Sequence, residues 1–384
     1  MKKKLLVMIS DRLSDLVKKG EITPRYYNPG NLFDEVHILM TNDDRVNPNH
    51  LQKTVGRAKL QIYSLGNISF KKTLGWQPFL LKSWSKKVVE LAGEIQPKLI
   101  HTHGNSLNGY FAAQVRKELG VPLVVSLHTH PDENRKRMCH WSDWKSRFIA
   151  EWRKSLENVT LRTANCVIPV YESIRGYAKK YGAKRINVIY NIINPIHLGE
   201  KMSYEIHTPP KIISLGRQID GKNPDNLIRA VAKTDAELTL VGNGELHDYL
   251  KKVAHKCGIS NRVHFKLSVP NDKLCQILPD YDIFAVHCDY WGVPKTVLEA
   301  LLTGLPVVIN RRYPELVPEL EGWQVMLVEN TKEGYLNALQ KLIGDDKLRE
   351  ELGRKGCTYA WEHFAPDKME QRVVDLYREL VPGL

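Results

Sequence analysis

Short apolar runs rich in β-branched residues alternate with stretches of helical period along the whole chain. In the first half the runs are Leu5–Ser10, Glu35–Thr41, Leu60–Leu65, Leu99–His103, Leu123–His128, Cys166–Val170 and Asn187–Tyr190. Helical segments such as Ser83–Ile95 and Gly109–Leu119 separate most of them. In the second half the runs are Lys211–Gly216, Glu237–Gly242, Val263–Leu267, Ile283–His287, Pro306–Asn310 and Val325–Val328. This alternation predicts an α/β fold, with parallel sheets covered by helices on both faces. The stretch Asn194–Pro210 holds Pro195, Pro209 and Pro210, has no clear period, and is the expected boundary. The expected organisation is therefore a Rossmann-like domain over residues 1–195 and a second over 210–365. Residues 366–384 then form a closing helix that packs back on the first domain. Open parallel sheets bind ligands beyond the carboxyl ends of their strands, so two such domains facing each other would place the site in the cleft between them.

Composition narrows the class. The chain has 384 residues, 42% of them hydrophobic, which is enough for two cores. No apolar run approaches the ~18 residues of a membrane span. The start, Met1–Ser10, has three lysines and only a short apolar part before Asp11 and Arg12, and is read as a first strand rather than a signal peptide. The six cysteines show no close pairing, which argues against a metal or disulfide framework and fits a reducing cytosol. Charge is uneven. Residues 1–200 carry 32 lysines and arginines against 17 acids, whereas residues 201–384 carry 24 against 26. The basic half suggests an anionic partner: lipid headgroups, a polyanionic acceptor or nucleic acid. No nucleic-acid motif is present, and nucleic acid ranks last.

Candidate chemistry gathers at the ends of the second-half strands. Gly216-Arg217 closes one strand and Lys222 follows in the next loop, two cations suited to a diphosphate. Gly242-Asn243-Gly244 is a second strand-end loop, where glycine lets backbone approach a ligand. Trp291-Gly292-Val293-Pro294 leads into a helix whose first amides, at Thr296 and Val297, would face an anion. Glu299 lies just inside that helix, placed to accept hydrogen bonds from vicinal hydroxyls or simply to favour the helix dipole. In the first half His128 ends a strand, and His101 and His103 end the one before it. Lacking a nearby acid in sequence, the latter two are expected to be structural or to line the cleft rather than to bind metal.

The order of these motifs, from Gly216-Arg217 through Gly304-Leu305-Pro306, resembles the nucleotide-binding domain of retaining GT-B-type glycosyltransferases, the broad group of mannosyl-, glucosyl- and N-acetylglucosaminyltransferases. The resemblance runs from about Lys211 to Met369–Leu380, and more loosely over Pro97–Asn194. It implies two facing Rossmann-like domains and a nucleotide-diphosphate sugar as donor substrate, with no separate cofactor. Arg217 and Lys222 would hold the diphosphate and Glu299 the ribose. Residues Gly292 to Val297 would meet the sugar and phosphates, Lys266 and Leu267 would lie near the base, and His128 would reach the sugar or its phosphate. With Arg217 and Lys222 in place of a cation, metal independence is expected. A nucleotide-sugar 2-epimerase of the same fold, and an impaired subunit that regulates a partner transferase, are the alternatives.

Three departures stand out. The group's first glutamate is replaced by Trp291, which puts the sugar contact in question; Asp289 is a substitute if the loop shifts. Arg311-Arg312-Tyr313 stand before Pro314-Glu315 where glycines are usual, either to bind an acidic group or as a solvated loop. Ser10–Ser14 lacks the glycine pair of the first turn. Separately, Lys71–Lys87 interleaves Trp76, Phe79 and Trp84 with five lysines, which suits an anionic membrane surface; the competing reading buries Leu80, Leu81, Trp84 and Val88. The series Trp141, Trp144, Phe148 and Trp152 has the spacing of a buried stripe. The expected setting is cytoplasmic, at the inner face of the plasma membrane, with a lipid-linked or glycan acceptor.

Overall fold

Each half of the chain builds a six-stranded, all-parallel sheet. The computed structural model describes residues 2–68, 77–138, 144–313 and 316–384. The first sheet comprises β1 (Lys4–Ile9), β2 (Glu35–Met40), β3 (Lys59–Ser64), β4 (Leu99–His103), β5 (Leu123–Leu127) and β6 (Cys166–Pro169), in the order β3-β2-β1-β4-β5-β6. Its strands alternate faces with period two. Leu6, Met8, Val125 and Leu127 pack under the helices Gln77–Ile95, Leu107–Leu119 and Trp144–Thr163. Leu5, Val7, Ile9, Ile38 and Val124 pack on the other side, where Met369, Val373 and Tyr377 of the helix Pro366–Leu380 complete the core. Arg25 clasps Glu370 of that helix through two hydrogen bonds of 2.7 and 2.8 Å.

The second sheet comprises β7 (Lys211–Leu215), β8 (Glu237–Val241), β9 (Val263–Lys266), β10 (Ile283–Val286), β11 (Val307–Asn310) and β12 (Met326–Val328). Its order, β12-β11-β10-β7-β8-β9, repeats the connectivity of the first. Ile212, Leu238, Leu240, Ile283 and Val308 form its core with Leu227, Val253, Tyr335 and Leu339 from the covering helices.

The chain divides into two units. One contains residues 1–18, 22–192 and 366–384; the other contains Lys19–Glu21 and Ile193–Ala365. The expected linker over 194–210 is instead part of the second unit. Lys201 Nζ donates to the carbonyls of Pro279 and Tyr281 (3.1 and 2.7 Å), and buried Tyr204 donates from its hydroxyl to Gly304 O (2.9 Å). An extended clamp has no period to read, which is why its sequence resembles a linker. Asn187–Tyr190 is likewise not a strand. It runs beside β6, giving the amides of Asn187 and Ile189 to Val167 and Pro169 without forming a ladder.

Two aromatic expectations change. Trp144 and Phe148 are 71% and 60% exposed, so the series is not a buried stripe, although Trp152 packs on the core; Trp141 lies outside the described residues. On Gln77–Ile95, Leu81 and Val88 are buried while Phe79 is 77% exposed. Lys71, Lys72 and Trp76 lie outside the described residues. Among the described residues no helix is long and apolar enough to cross a membrane.

Candidate active site

The strand order of the second sheet reverses between β7 and β10, and the loops at that switch point form the site. The loop after β7 carries Gly216, Arg217 and Lys222. Gly216 N–H donates to Val241 O (3.1 Å) and Gln218 N–H to Asn243 O (2.9 Å), stitching this loop to the one after β8. Gly242 and Gly244 make that possible. A Cβ on Gly242 would stand 1.9 Å from Gly216 O, and one on Gly244 2.2 Å from Gln218 O. The backbone these glycines admit is therefore the neighbouring loop's own. Arg217 is exposed and Lys222 half-buried, its ammonium 5.1 Å from the Tyr290 ring centroid. Among the described residues neither has a carboxylate partner, so both charges are available to an anion.

Opposite them is the loop from β10 to the helix Lys295–Thr303. Buried His287 accepts Asn223 N–H at Nδ1 (2.9 Å), and its Nε2 lies 3.0 Å from Asp289 Oδ1 and 2.9 Å from Asn330 Nδ2. Asp289 Oδ1 also accepts from Asn310 Nδ2 (3.0 Å), which ties one oxygen of this exposed carboxylate to its own loop. Trp291 is half-buried, between buried Gly292 and exposed Asp289. Arg311 and Arg312 separate. Arg311 pairs with Glu321 (3.0 Å), whereas Arg312 is 5% exposed and donates from Nη1 to the carbonyls of Tyr290 and Gly292, the latter at 2.7 Å. Arg312 is thus not solvated: its Nη1 holds the Trp291 loop, while Nε and Nη2 are buried without a partner among the described residues. Pro314 and Glu315 lie outside the described residues.

Pro294 precedes the helix with an extended ψ of 138°. Val297 N–H, expected to be open, closes back on Pro294 O (2.9 Å), while Lys295 and Thr296 N–H take no carbonyl among the described residues. Glu299 is fully buried. Its Oε1 accepts from Asn271 Nδ2 (2.9 Å) and lies 3.8 Å from Lys295 Nζ; its Oε2 has no partner among the described residues. Burial raises its pKa above the ordinary 4.5, against the opposing pull of Lys295 and Asn271. A buried carboxylate oxygen without a donor is costly unless a ligand supplies one. Lys266 and Leu267 are exposed at the end of the edge strand β9, and Lys266 O receives Gly242 N–H (2.9 Å).

His128 belongs to the other unit, where it joins His101 and His103 at the ends of β4 and β5. His101 lies between Tyr377 Oη and Ser126 Oγ (2.5 and 2.7 Å). His103 Nδ1 is 3.0 Å from His128 Nε2, and His128 Nδ1 is 3.3 Å from Asn191 Oδ1. Both His128 nitrogens are thus engaged within the protein. Burial lowers all three pKa values, that of His101 to about 3, so all three rings are neutral at pH 7. Among the described residues no cluster of His, Cys, Asp or Glu is arranged to hold a metal ion.

Two family models match. The model described as Glycosyltransferase Family 4 matches residues 33–196, and the one described as Glycosyl transferases group 1 matches residues 200–358. An uncharacterized glycosyltransferase of Methanocaldococcus jannaschii is 23% identical over 340 residues, covering 83% of this chain and 84% of the relative. The lipopolysaccharide core biosynthesis glycosyltransferase LpsE of Rhizobium meliloti is 27% identical over 226 residues, covering 57% of this chain and 65% of that protein. Among solved structures, sucrose-phosphate synthase from Thermosynechococcus elongatus superposes with a TM-score of 0.73 at 17% identity, covering 98% and 99% of the two chains, a likeness of fold. The two models between them span most of the chain, one on each six-stranded sheet, and the chain belongs to the GT-B glycosyltransferases.

Proposed function

We propose that this glycosyltransferase moves a sugar from a nucleotide-diphosphate donor to an acceptor hydroxyl with retention of anomeric configuration and without a metal ion. The observation that carries the reading is Glu299 Oε2, a buried acceptor at the start of a helix with no donor among the described residues. A ribose diol supplies the missing hydrogen bonds. Arg217 and Lys222, cations with no carboxylate partner among the described residues, suit the diphosphate, and the amides of Lys295 and Thr296, which take no carbonyl among those residues, add to the positive field there. In the transfer, the bond from the anomeric carbon to the phosphate oxygen breaks and the acceptor oxygen bonds to that carbon on the same face. The acceptor's proton goes to the departing phosphate oxygen. Negative charge grows on that phosphate in an oxocarbenium-like transition state, which Arg217 and Lys222 stabilise.

The acceptor is proposed to be a lipid-linked or cell-surface glycan precursor, met by peripheral docking on the cytoplasmic face of the membrane. Exposed Phe79, Trp144 and Phe148 on the basic first unit support that setting. Trp291 favours one second reading, a nucleotide-binding subunit with weak activity of its own. A thermal-shift screen of UDP-, GDP- and ADP-sugars, followed by release of the nucleoside diphosphate, tests the assignment. Stabilisation with turnover is expected; stabilisation without turnover supports the subunit reading, and no shift with any sugar nucleotide overturns both.

A further inference from the structure

His101, His103 and His128, clustered at the ends of β4 and β5, offer six ring nitrogens. Among the described residues five have partners, and the sixth, His103 Nε2, is buried without one. The hydrogen-bond chain fixes what that nitrogen is. Asn191 donates from Nδ2 to Tyr171 Oη (2.9 Å), so its Oδ1 faces His128 and must receive a hydrogen from His128 Nδ1. A neutral imidazole carries one hydrogen, so His128 Nε2 is then a lone pair. His103 therefore donates to it from Nδ1, and the hydrogen of His103 is spent there. What remains at His103 Nε2 is a lone pair with nothing to accept. His103 and His128 stack with ring centroids 5.3 Å apart and 10° between planes, while Tyr26 and Tyr27 lie 5.4 Å away on other sides, so the ring is held in place. A cavity of about 40 Å³ is lined by His103 together with Tyr26, His101, His128 and Asn191. That is room for roughly one water or one hydroxyl group.

We propose that His103 Nε2 is the ligand-facing imidazole nitrogen of this domain and accepts a hydrogen bond from a hydroxyl of the sugar substrate, with His128 and Asn191 as positioning residues that set its tautomer. The ligand is of the neutral, hydroxyl-donating class; the diphosphate of a sugar nucleotide, fully ionised at neutral pH, has no hydrogen to offer a lone pair and is excluded from this contact. The inference rests on the transferase reading above, and it relocates to His103 the sugar contact expected of His128.

Two substitutions separate the roles. His103→Asn keeps a donor near the Nδ1 position for His128 and removes the Nε2 acceptor. His103→Gln places an amide oxygen near the Nε2 position and removes the link to His128. With the UDP-, GDP- and ADP-sugar panel, kcat/KM for nucleoside diphosphate release is expected to fall about 10-fold or more in His103→Asn and to stay within about threefold in His103→Gln. A rise in donor KM would place the hydroxyl on the donor sugar, and a fall confined to transfer onto added acceptor would place it on the acceptor. The thermal shift given by UDP, GDP or ADP alone should be the same in all three proteins. If wild type answers no sugar nucleotide, the transferase reading fails. If it answers and His103→Asn works as well as wild type, or both variants fall equally, this inference fails. Should either variant not fold, the long-range proton–nitrogen spectrum of histidine-labelled wild type decides. His103 Nε2 is expected to be the unprotonated nitrogen of its ring, and a hydrogen found on it would overturn the proposal.

Discussion

Replacing Glu299 with glutamine should split ligand affinity from stability. The carboxylate is fully buried, one oxygen is held by Asn271 at 2.9 Å and the other lacks a partner among the described residues. Glutamine keeps the shape and can still offer a carbonyl to Asn271, but it loses the charge. A hydrogen bond to a charged acceptor contributes about 1.5–3 kcal/mol, so the nucleotide Kd should weaken by roughly 10- to 150-fold. Ligand at 100 times the wild-type Kd stabilises the native state by about 2.7 kcal/mol. After a 100-fold loss of affinity, the same concentration stabilises by only about 0.4 kcal/mol. In units of this size, that turns a Tm shift of roughly 5–10 °C into one of about 1–2 °C.

The unliganded variant should behave in the opposite way. Because burial raises the pKa of Glu299, the folded chain holds the proton more tightly than the unfolded chain. Its ionised form is therefore a penalty at neutral pH, relieved as pH falls through the folded pKa towards the unfolded 4.5. Glu299→Gln should melt no lower than wild type at pH 7.5, and any advantage should shrink in acid. Thermal melts with and without UDP, GDP and ADP, together with calorimetric Kd values, read both effects. An unchanged Kd, or an equal loss of Tm with and without nucleotide, would refute the role given to this carboxylate.

Arg217→Ala and Lys222→Ala should each weaken nucleotide diphosphate binding by about 10- to 100-fold with little change in the unliganded Tm, and turnover should be indifferent to EDTA; restoration of a chelated enzyme by Mg²⁺ or Mn²⁺ would sink metal independence. Gly242→Ala must move one of two stitched loops, since its Cβ would meet Gly216 O at 1.9 Å, and is expected to cost a few kcal/mol in urea denaturation as well as nucleotide affinity. His101, neutral when folded with its pKa lowered to about 3, binds its proton more readily in the unfolded chain. It should therefore subtract stability as pH falls below 6.5, by about 2–3 kcal/mol at pH 4.5, and a urea midpoint unchanged between pH 7 and 4.5 would contradict this.

The sheets were legible because buried parallel strands are continuous apolar runs, and twelve of them fall within about a residue or two of where the pattern puts them. The run Asn187–Tyr190 has the same local pattern but no ladder, and pattern alone cannot report pairing. The segment 194–210 failed for the converse reason, since Lys201 and Tyr204 are fixed by carbonyls about 80 and 100 positions away. At the candidate site, the order of motifs singled out Arg217, Lys222 and Glu299, which the fold sets on the loop after β7 and on the helix Lys295–Thr303. It could not report that Val297 N–H is spent on Pro294, nor that Arg312 turns inward under the Trp291 loop. The free nitrogen at His103 was out of reach as well, because it depends on an amide at Asn191 and a phenol at Tyr171. A signal was nevertheless present: His101, His103 and His128 all fall at the carboxyl ends of two strands, β4 and β5, that lie side by side in the sheet.

The helix Pro366–Leu380 gives the molecule an awkward order of assembly. Vectorial synthesis normally lets the amino-terminal domain fold first. Here one face of the first sheet, partly covered by Leu13, Phe33 and Leu51, waits for Met369, Val373 and Tyr377, which follow the second unit in the chain, to complete it. The last of these also delivers the hydroxyl that meets His101. The histidine cluster is therefore set only after residues 366–384 have been made, later than both sheets.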